Sequence, residues 1–196
     1  SMVADFTLVP ARKYAVIGPS GAGKSTLLAA LCGFVPLAAG RMFWEGREIT
    51  NAAPAARPMT MLFQDNNLFP HLTALENVTL GIDTSRKPSK QSLTRAKQAL
   101  SLVDLQGLEH RRPSDLSGGQ QSRVALARTI LSDRAVICLD EPFAALGPSL
   151  RREMLDLMAT HLANRTVLMV THDPDDAQRI ADHTIVVADG KAASPA

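Results

Sequence analysis

Gly18-Pro19-Ser20-Gly21-Ala22-Gly23-Lys24-Ser25 fills every fixed position of the pattern G-x-x-x-x-G-K-[ST]. It follows an apolar run of strand length, Lys13 to Ile17, and opens a segment of helical period, Ser25 to Cys32. A phosphate-binding loop needs that placement. Its glycines let backbone N–H groups close around phosphate oxygens, and the helix N-terminus that follows favours an anion. Gly18, Pro19, Ser20, Gly21, Ala22, Gly23, Lys24, Ser25 and Thr26 are therefore the expected nucleotide-binding residues. Lys24 is expected to reach the β- and γ-phosphates and the Ser25 hydroxyl to bind Mg2+, so the implied ligands are ATP and Mg2+. The plainer alternative is a Gly-rich turn that happens to precede a helix.

Outward from this loop, strand-length apolar runs alternate with helical segments. Strands are expected at Arg41 to Trp44, Met59 to Phe63, Ala135 to Leu139, Thr166 to Val170 and Thr184 to Ala188. Helices are expected at Ser89 to Val103, around Val124, Ala127 and Leu131, at Pro148 to Leu162 and at Pro174 to Ala181. Ala135 to Leu139 is apolar throughout, as in a strand buried on both faces of a parallel sheet. This alternation predicts an α/β fold, a P-loop core with a mostly parallel sheet.

Asp140 and Glu141 close the buried strand, where an acidic pair is costly unless a cation or a reacting water balances it. Successive strand side chains point opposite ways, which gives the two carboxylates different tasks. Asp140 is expected to support Mg2+ and Glu141 to polarise the water that attacks the γ-phosphate. Gln64 and His172 each follow a strand, and ligands of parallel sheets bind at the carboxyl ends of strands. Gln64 is accordingly a candidate metal and catalytic residue, and His172 a candidate catalytic one. The plain readings are a solvated loop Gln and a helix-capping His.

The 196 residues allow one domain with a sizeable core, expected over 2–196. With 45% hydrophobic and 20% charged residues the composition is that of a globular protein. A net charge of +2 without a basic block gives no reason to expect nucleic acid as a partner. No secretory signal and no apolar run long enough to span a bilayer stands out, so a membrane connection is expected through a partner. Cys32 and Cys138 lie in apolar stretches without metal-ligand spacing and read as buried, reduced thiols.

Leu116-Ser117-Gly118-Gly119-Gln120 opens the helix that contains Val124. Ser117 and Gln120 have capping-box spacing, which leaves the double glycine unexplained. Each glycine costs about 1 kcal/mol relative to alanine in a helix, and close approach to a phosphate would be a reason for them. Two phosphate cradles on one chain imply a head-to-tail pair of chains, each completing its partner's site.

Together, the P-loop, Gln64, Leu116 to Gln120, the Asp140-Glu141 pair and His172 resemble, in order and spacing, the nucleotide-binding subunits of ATP-binding cassette (ABC) transporters. The resemblance covers essentially the whole chain. It implies an ATPase that powers an importer and sits at the cytoplasmic face of a bacterial inner membrane. It also implies a small antiparallel β region and a helical subdomain at about 65–112 that faces permease subunits. Implied partners are a second copy of this chain, the permease and, indirectly, a periplasmic solute-binding protein. By the same resemblance Ser117, Gly118, Gly119 and Gln120 belong to the nucleotide site, with Ser117 and Gly119 on the opposite protomer's γ-phosphate. The stretches 61–69 and 186–190 are similar to those of bacterial thiamine import ATP-binding subunits.

Two departures from the family pattern stand out. Ala144-Ala145-Leu146-Gly147 replaces the usual Ser-Ala-Leu-Asp after the catalytic Glu, with Gly147 an acceptable N-cap before Pro148. An aromatic residue that stacks on adenine is expected upstream of the first strands, before the sequence begins, while Phe6 and Tyr14 read as core residues. Other readings of the set are a non-transport ABC ATPase acting on DNA or ribosomes, and a regulatory nucleotide-binding subunit with weak turnover.

Overall fold

The computed structural model describes residues 2–193. Ser1 and the last three residues of the expected domain lie outside the described residues. The strands are β1 (Val3–Ala4), β2 (Lys13–Ile17), β3 (Phe43–Trp44), β4 (Arg47–Glu48), β5 (Met59–Leu62), β6 (Val136–Asp140), β7 (Thr166–Val170), β8 (His183–Ala188) and β9 (Lys191–Ala193). The α-helices are α1 (Lys24–Cys32), α2 (Ala74–Thr79), α3 (Lys90–Leu102), α4 (Gly118–Leu131), α5 (Pro148–His161) and α6 (Pro174–Ile180). The chain divides into two compact units, one of 1–61, 134–141 and 164–196, the other of 62–133 and 142–163.

The first unit is built on a sheet of order β1-β9-β8-β2-β7-β6-β5. β2 pairs in parallel with β7 and β8, and β6 with β7, whereas β9 runs antiparallel to β8. β6 and β7 are buried at all five positions, which is why Val-Ile-Cys-Leu and Thr-Val-Leu-Met-Val read as unbroken apolar runs. Tyr14, Val16, Leu27, Leu28, Cys138, Leu168 and Val170 belong to the core, with Phe6 packed against it. Register aligns the strand ends. Val16 lies beside Val170 and Val170 beside Asp140, so β2, β7 and β6 finish in one row.

Arg41 to Trp44 was expected to be a strand, but only Phe43–Trp44 pairs, antiparallel with Arg47–Glu48. Glu45 and Gly46 both take positive φ (47° and 78°), the backbone of the two-residue turn that ties short hairpins. Arg57 carries a role that periodicity cannot show. It is buried, and its Nη1 donates to the Ala30 and Leu31 carbonyls at 2.9 and 2.6 Å, a cation at the carboxyl end of α1. Both cysteines are free and buried; the neighbouring Cys32 thiol together with burial pushes the Cys138 thiol well up.

In the second unit α2, α3 and α4 pack on one another. Helix α2 escaped the periodicity reading because it has six residues and buries Asn77 and Thr79 beside Leu75 and Val78. Its start is nevertheless written locally: Thr73 and Glu76 form a capping box. Just past α2, a Cβ on Gly81 would lie 2.5 Å from the Arg128 carbonyl oxygen and 3.1 Å from that of Val78. Both obstacles are backbone, so Gly81→Ala should cost about 1–3 kcal/mol, outweighing any propensity gain. A melting temperature lower by roughly 3–10 °C in a thermal scan is the expected outcome. An unchanged one would disprove the contact.

Candidate nucleotide site

Helix α1 begins without a side-chain cap. Its N-cap is Gly23, at φ 100°, and no side chain accepts from the first-turn N–H groups. Helix α4 is the contrast, since Ser117 Oγ accepts from Gln120 N and Gln120 Oε1 accepts from Ser117 N, at 3.3 and 2.8 Å. The open first turn of α1 leaves donors for an anion. The glycines of the loop divide the work. A Cβ on Gly18 would sit 2.0 Å from the Val187 carbonyl oxygen of β8, and its φ of 152° is one that L side chains rarely adopt, so packing and backbone both require this glycine. Gly21, at φ 76°, would place a Cβ in open space, and its requirement is the backbone angle.

Lys24 is 6% exposed, and its Nζ donates to the carbonyls of Gly18 and Pro19 at 2.9 and 2.8 Å. Among the described residues no carboxylate pairs with it. A buried ammonium whose hydrogen bonds go only to carbonyls is costly, and it suits an incoming phosphate. One residue on, Ser25 Oγ donates to Asp140 Oδ1 at 3.0 Å. Burial raises the Asp140 carboxyl above the usual carboxylate range; the Ser25 hydroxyl opposes this, and Glu141 adds to it. Lys24 and His172 favour its ionised form, but burial prevails. A hydroxyl and a carboxylate are the hard oxygen donors that suit Mg2+ arriving with phosphate oxygens.

Glu141 leaves the strand in the left-handed region, at φ 48°, a state that non-glycine residues rarely hold without a reason. Its N–H donates to the Val170 carbonyl at 3.1 Å, and its Oε1 lies 2.6 Å from His172 Nε2. The two neighbouring carboxylates therefore separate, Asp140 toward Ser25 and Glu141 toward His172. His172 does not cap α6; Asp173 does, accepting from Asp175 N. The Thr171 hydroxyl donates to buried Asp176 and fixes the turn before His172.

The first unit thus brings together Gly18 to Thr26, Asp140, Glu141 and His172. Gln64 and Ser117 to Gln120 lie in the second unit. Gln64 is exposed, two residues beyond β5. Beside Gly119, a Cβ would lie 3.3 Å from Leu146 Cδ2, while at Gly118 it would meet nothing within 4 Å. Packing therefore accounts for part of the need at Gly119 and for none at Gly118. Gly147 is the N-cap of α5 without a side-chain bond, and Pro148 occupies the first turn. Sequence reading missed the left-handed Glu141 and the packing constraint on Gly18. Neither has a signal in residue type alone.

A family profile described as ABC transporter matches residues 2–144. The thiamine import ATP-binding protein ThiQ of Ruegeria sp. (strain TM1040) is 55% identical over 184 residues, covering 93% of this chain and 80% of that protein. The protein of the same name from Cereibacter sphaeroides is 52% identical over 98% of this chain and 84% of its own length. That of Yersinia pestis is 43% identical over 97% and 81%. Among solved structures, the dimeric post-hydrolysis state of the ATP-binding cassette MJ0796 bound to ADP and Pi superposes with a TM-score of 0.85. It is 28% identical and covers 97% of this chain and 87% of its own.

Proposed function

From the premise that this chain belongs to the ABC transporter family, we propose that it is the ATP-hydrolysing subunit of a bacterial thiamine importer. The observation that carries the nucleotide chemistry is buried Lys24, its Nζ held on two carbonyls beside an uncapped helix start. The relatives' shared name supports the cargo.

In this reading Lys24 and the N–H groups of Gly21 to Ser25 hold the β- and γ-phosphates. Ser25 and Asp140, with Gln64, would hold Mg2+, which when bound would neutralise charge on the phosphate oxygens. Glu141 orients the attacking water and takes its proton, and His172 keeps that carboxylate turned toward the γ-phosphate side. Ser117, Gly118, Gly119 and Gln120 of a second copy close the site from the other side. Two chains then sandwich each nucleotide, and permease subunits tie the pair to the cytoplasmic face of the membrane. No helix among the described residues is long and apolar enough to cross a membrane, in keeping with a peripheral subunit.

The test is reconstitution of this chain with its co-purifying permease in lipid vesicles. A thiamine-loaded binding protein should raise ATP turnover several-fold above the unloaded one. Equal turnover with and without thiamine would overturn the cargo. Failure of the tagged chain to retain any membrane subunit would overturn the transport role.

A further inference from the structure

Gln64 precedes a loop whose backbone is unusual at two consecutive positions. Asn66 and Asn67 have φ of 62° and 43°, the left-handed region, where Asn is among the few residues tolerated. Arg128, in the last turn of α4, reaches both. Its Nη2 donates to the Asn66 carbonyl and its Nη1 to the Asn67 carbonyl, each at 3.0 Å. No acidic side chain among the described residues pairs with this half-buried guanidinium, and burial pulls its pKa below the ordinary value. The other end of the loop is tied to α2. Buried Asn77 accepts from Phe69 N and donates to the carbonyls of Phe69, Leu72 and Thr73 at 3.0–3.2 Å.

A guanidinium used in this way is a geometric device. Its parallel N–H groups span two successive carbonyls, which a point-like ammonium cannot do. Helix α4 also starts at the Ser117 capping box, so one rigid element carries both Ser117 and the clamp. We propose that Arg128 is a positioning residue: by holding Asn66 and Asn67 left-handed it fixes the segment carrying Gln64 to the helix that presents Ser117. The catalytic consequence rests on Gln64 contacting the nucleotide site, as read above; the clamp itself does not.

The experiment compares the unsubstituted chain with Arg128→Lys and with the triple variant Arg128→Lys, Asn66→Gly, Asn67→Gly. Amide hydrogen exchange across 64–69 should speed up roughly ten- to a hundredfold in Arg128→Lys, the scale of losing a charge-assisted hydrogen bond. Exchange in β2 and α1 should stay unchanged. ATP affinity by calorimetry should hold within about twofold while kcat falls about tenfold or more, since only the transition-state arrangement is disturbed. Glycine adopts the left-handed state without a clamp, so the triple variant should regain much of the lost kcat. Unchanged exchange across 64–69 would overturn the clamp. A kcat loss that follows melting temperature and is not restored by the glycines would reduce Arg128 to a structural residue and overturn the positioning role. If the Gln64 reading is what fails, Gln64→Ala leaves turnover intact while Arg128→Lys still accelerates exchange.

Discussion

Lys24→Ala should abolish tight ATP binding and, with it, turnover. The substitution removes the one cation whose Nζ is already gathered onto the Gly18 and Pro19 carbonyls at the mouth of the loop. A triphosphate then meets those two carbonyls, which repel it, in place of an ammonium that attracts it. Charge-assisted hydrogen bonds contribute about 1.5–3 kcal/mol each. A loss of affinity on the order of a hundredfold is therefore the expected minimum. The fold should survive, because the aliphatic neighbours Leu27 and Leu28 continue to anchor α1 in the core. Calorimetric titration with ATP and Mg2+ is the measurement. Affinity within twofold of the parent would remove the basis for the phosphate site.

Glu141→Gln separates binding from chemistry. The amide preserves side-chain shape, and its oxygen can still accept from His172 Nε2, so the 2.6 Å contact between these residues need not be lost. What disappears is the carboxylate proposed to take a proton from the attacking water. General-base catalysis is worth roughly 10²–10⁴-fold, and kcat should fall on that scale while ATP stays bound. On the proposal that a second copy supplies the other cradle, this variant should also accumulate as an ATP-dependent dimer on size exclusion. A variant that remains monomeric at saturating ATP would count against the sandwich. One that hydrolyses at the parental rate would remove Glu141 from the chemistry.

The parts of the molecule that were legible in the sequence are those where local pattern and global fold agree. The P-loop announces itself by residue type and by position between β2 and α1. The doubly buried β6 and β7 announce themselves by unbroken apolarity. Thr73 and Glu76 wrote a helix start that apolar period alone passed over, since Asn77 and Thr79 occupy buried positions of α2. The left-handed turn at Glu141 was not legible, because Glu has no preference for positive φ and only the surrounding sheet imposes it. Nor were the Arg57 and Arg128 contacts. Each links residues far apart in the chain through backbone carbonyls, which every residue possesses and which therefore leave no mark in sequence. Gly18 carries a further constraint that residue type does not reveal: a Cβ there would meet the Val187 carbonyl of β8.

The posture of Lys24 has a practical consequence for amine chemistry. At 6% exposure, with its nitrogen turned inward onto two carbonyls, it is shielded from bulky acylating reagents that need an unhindered approach to nitrogen. Exposed amines such as Lys87 and Lys191 react first. Bifunctional succinimidyl esters at low loading can therefore trap a pair of chains covalently, or tether the chain to a sensor surface, while leaving its ligand-recognition chemistry untouched.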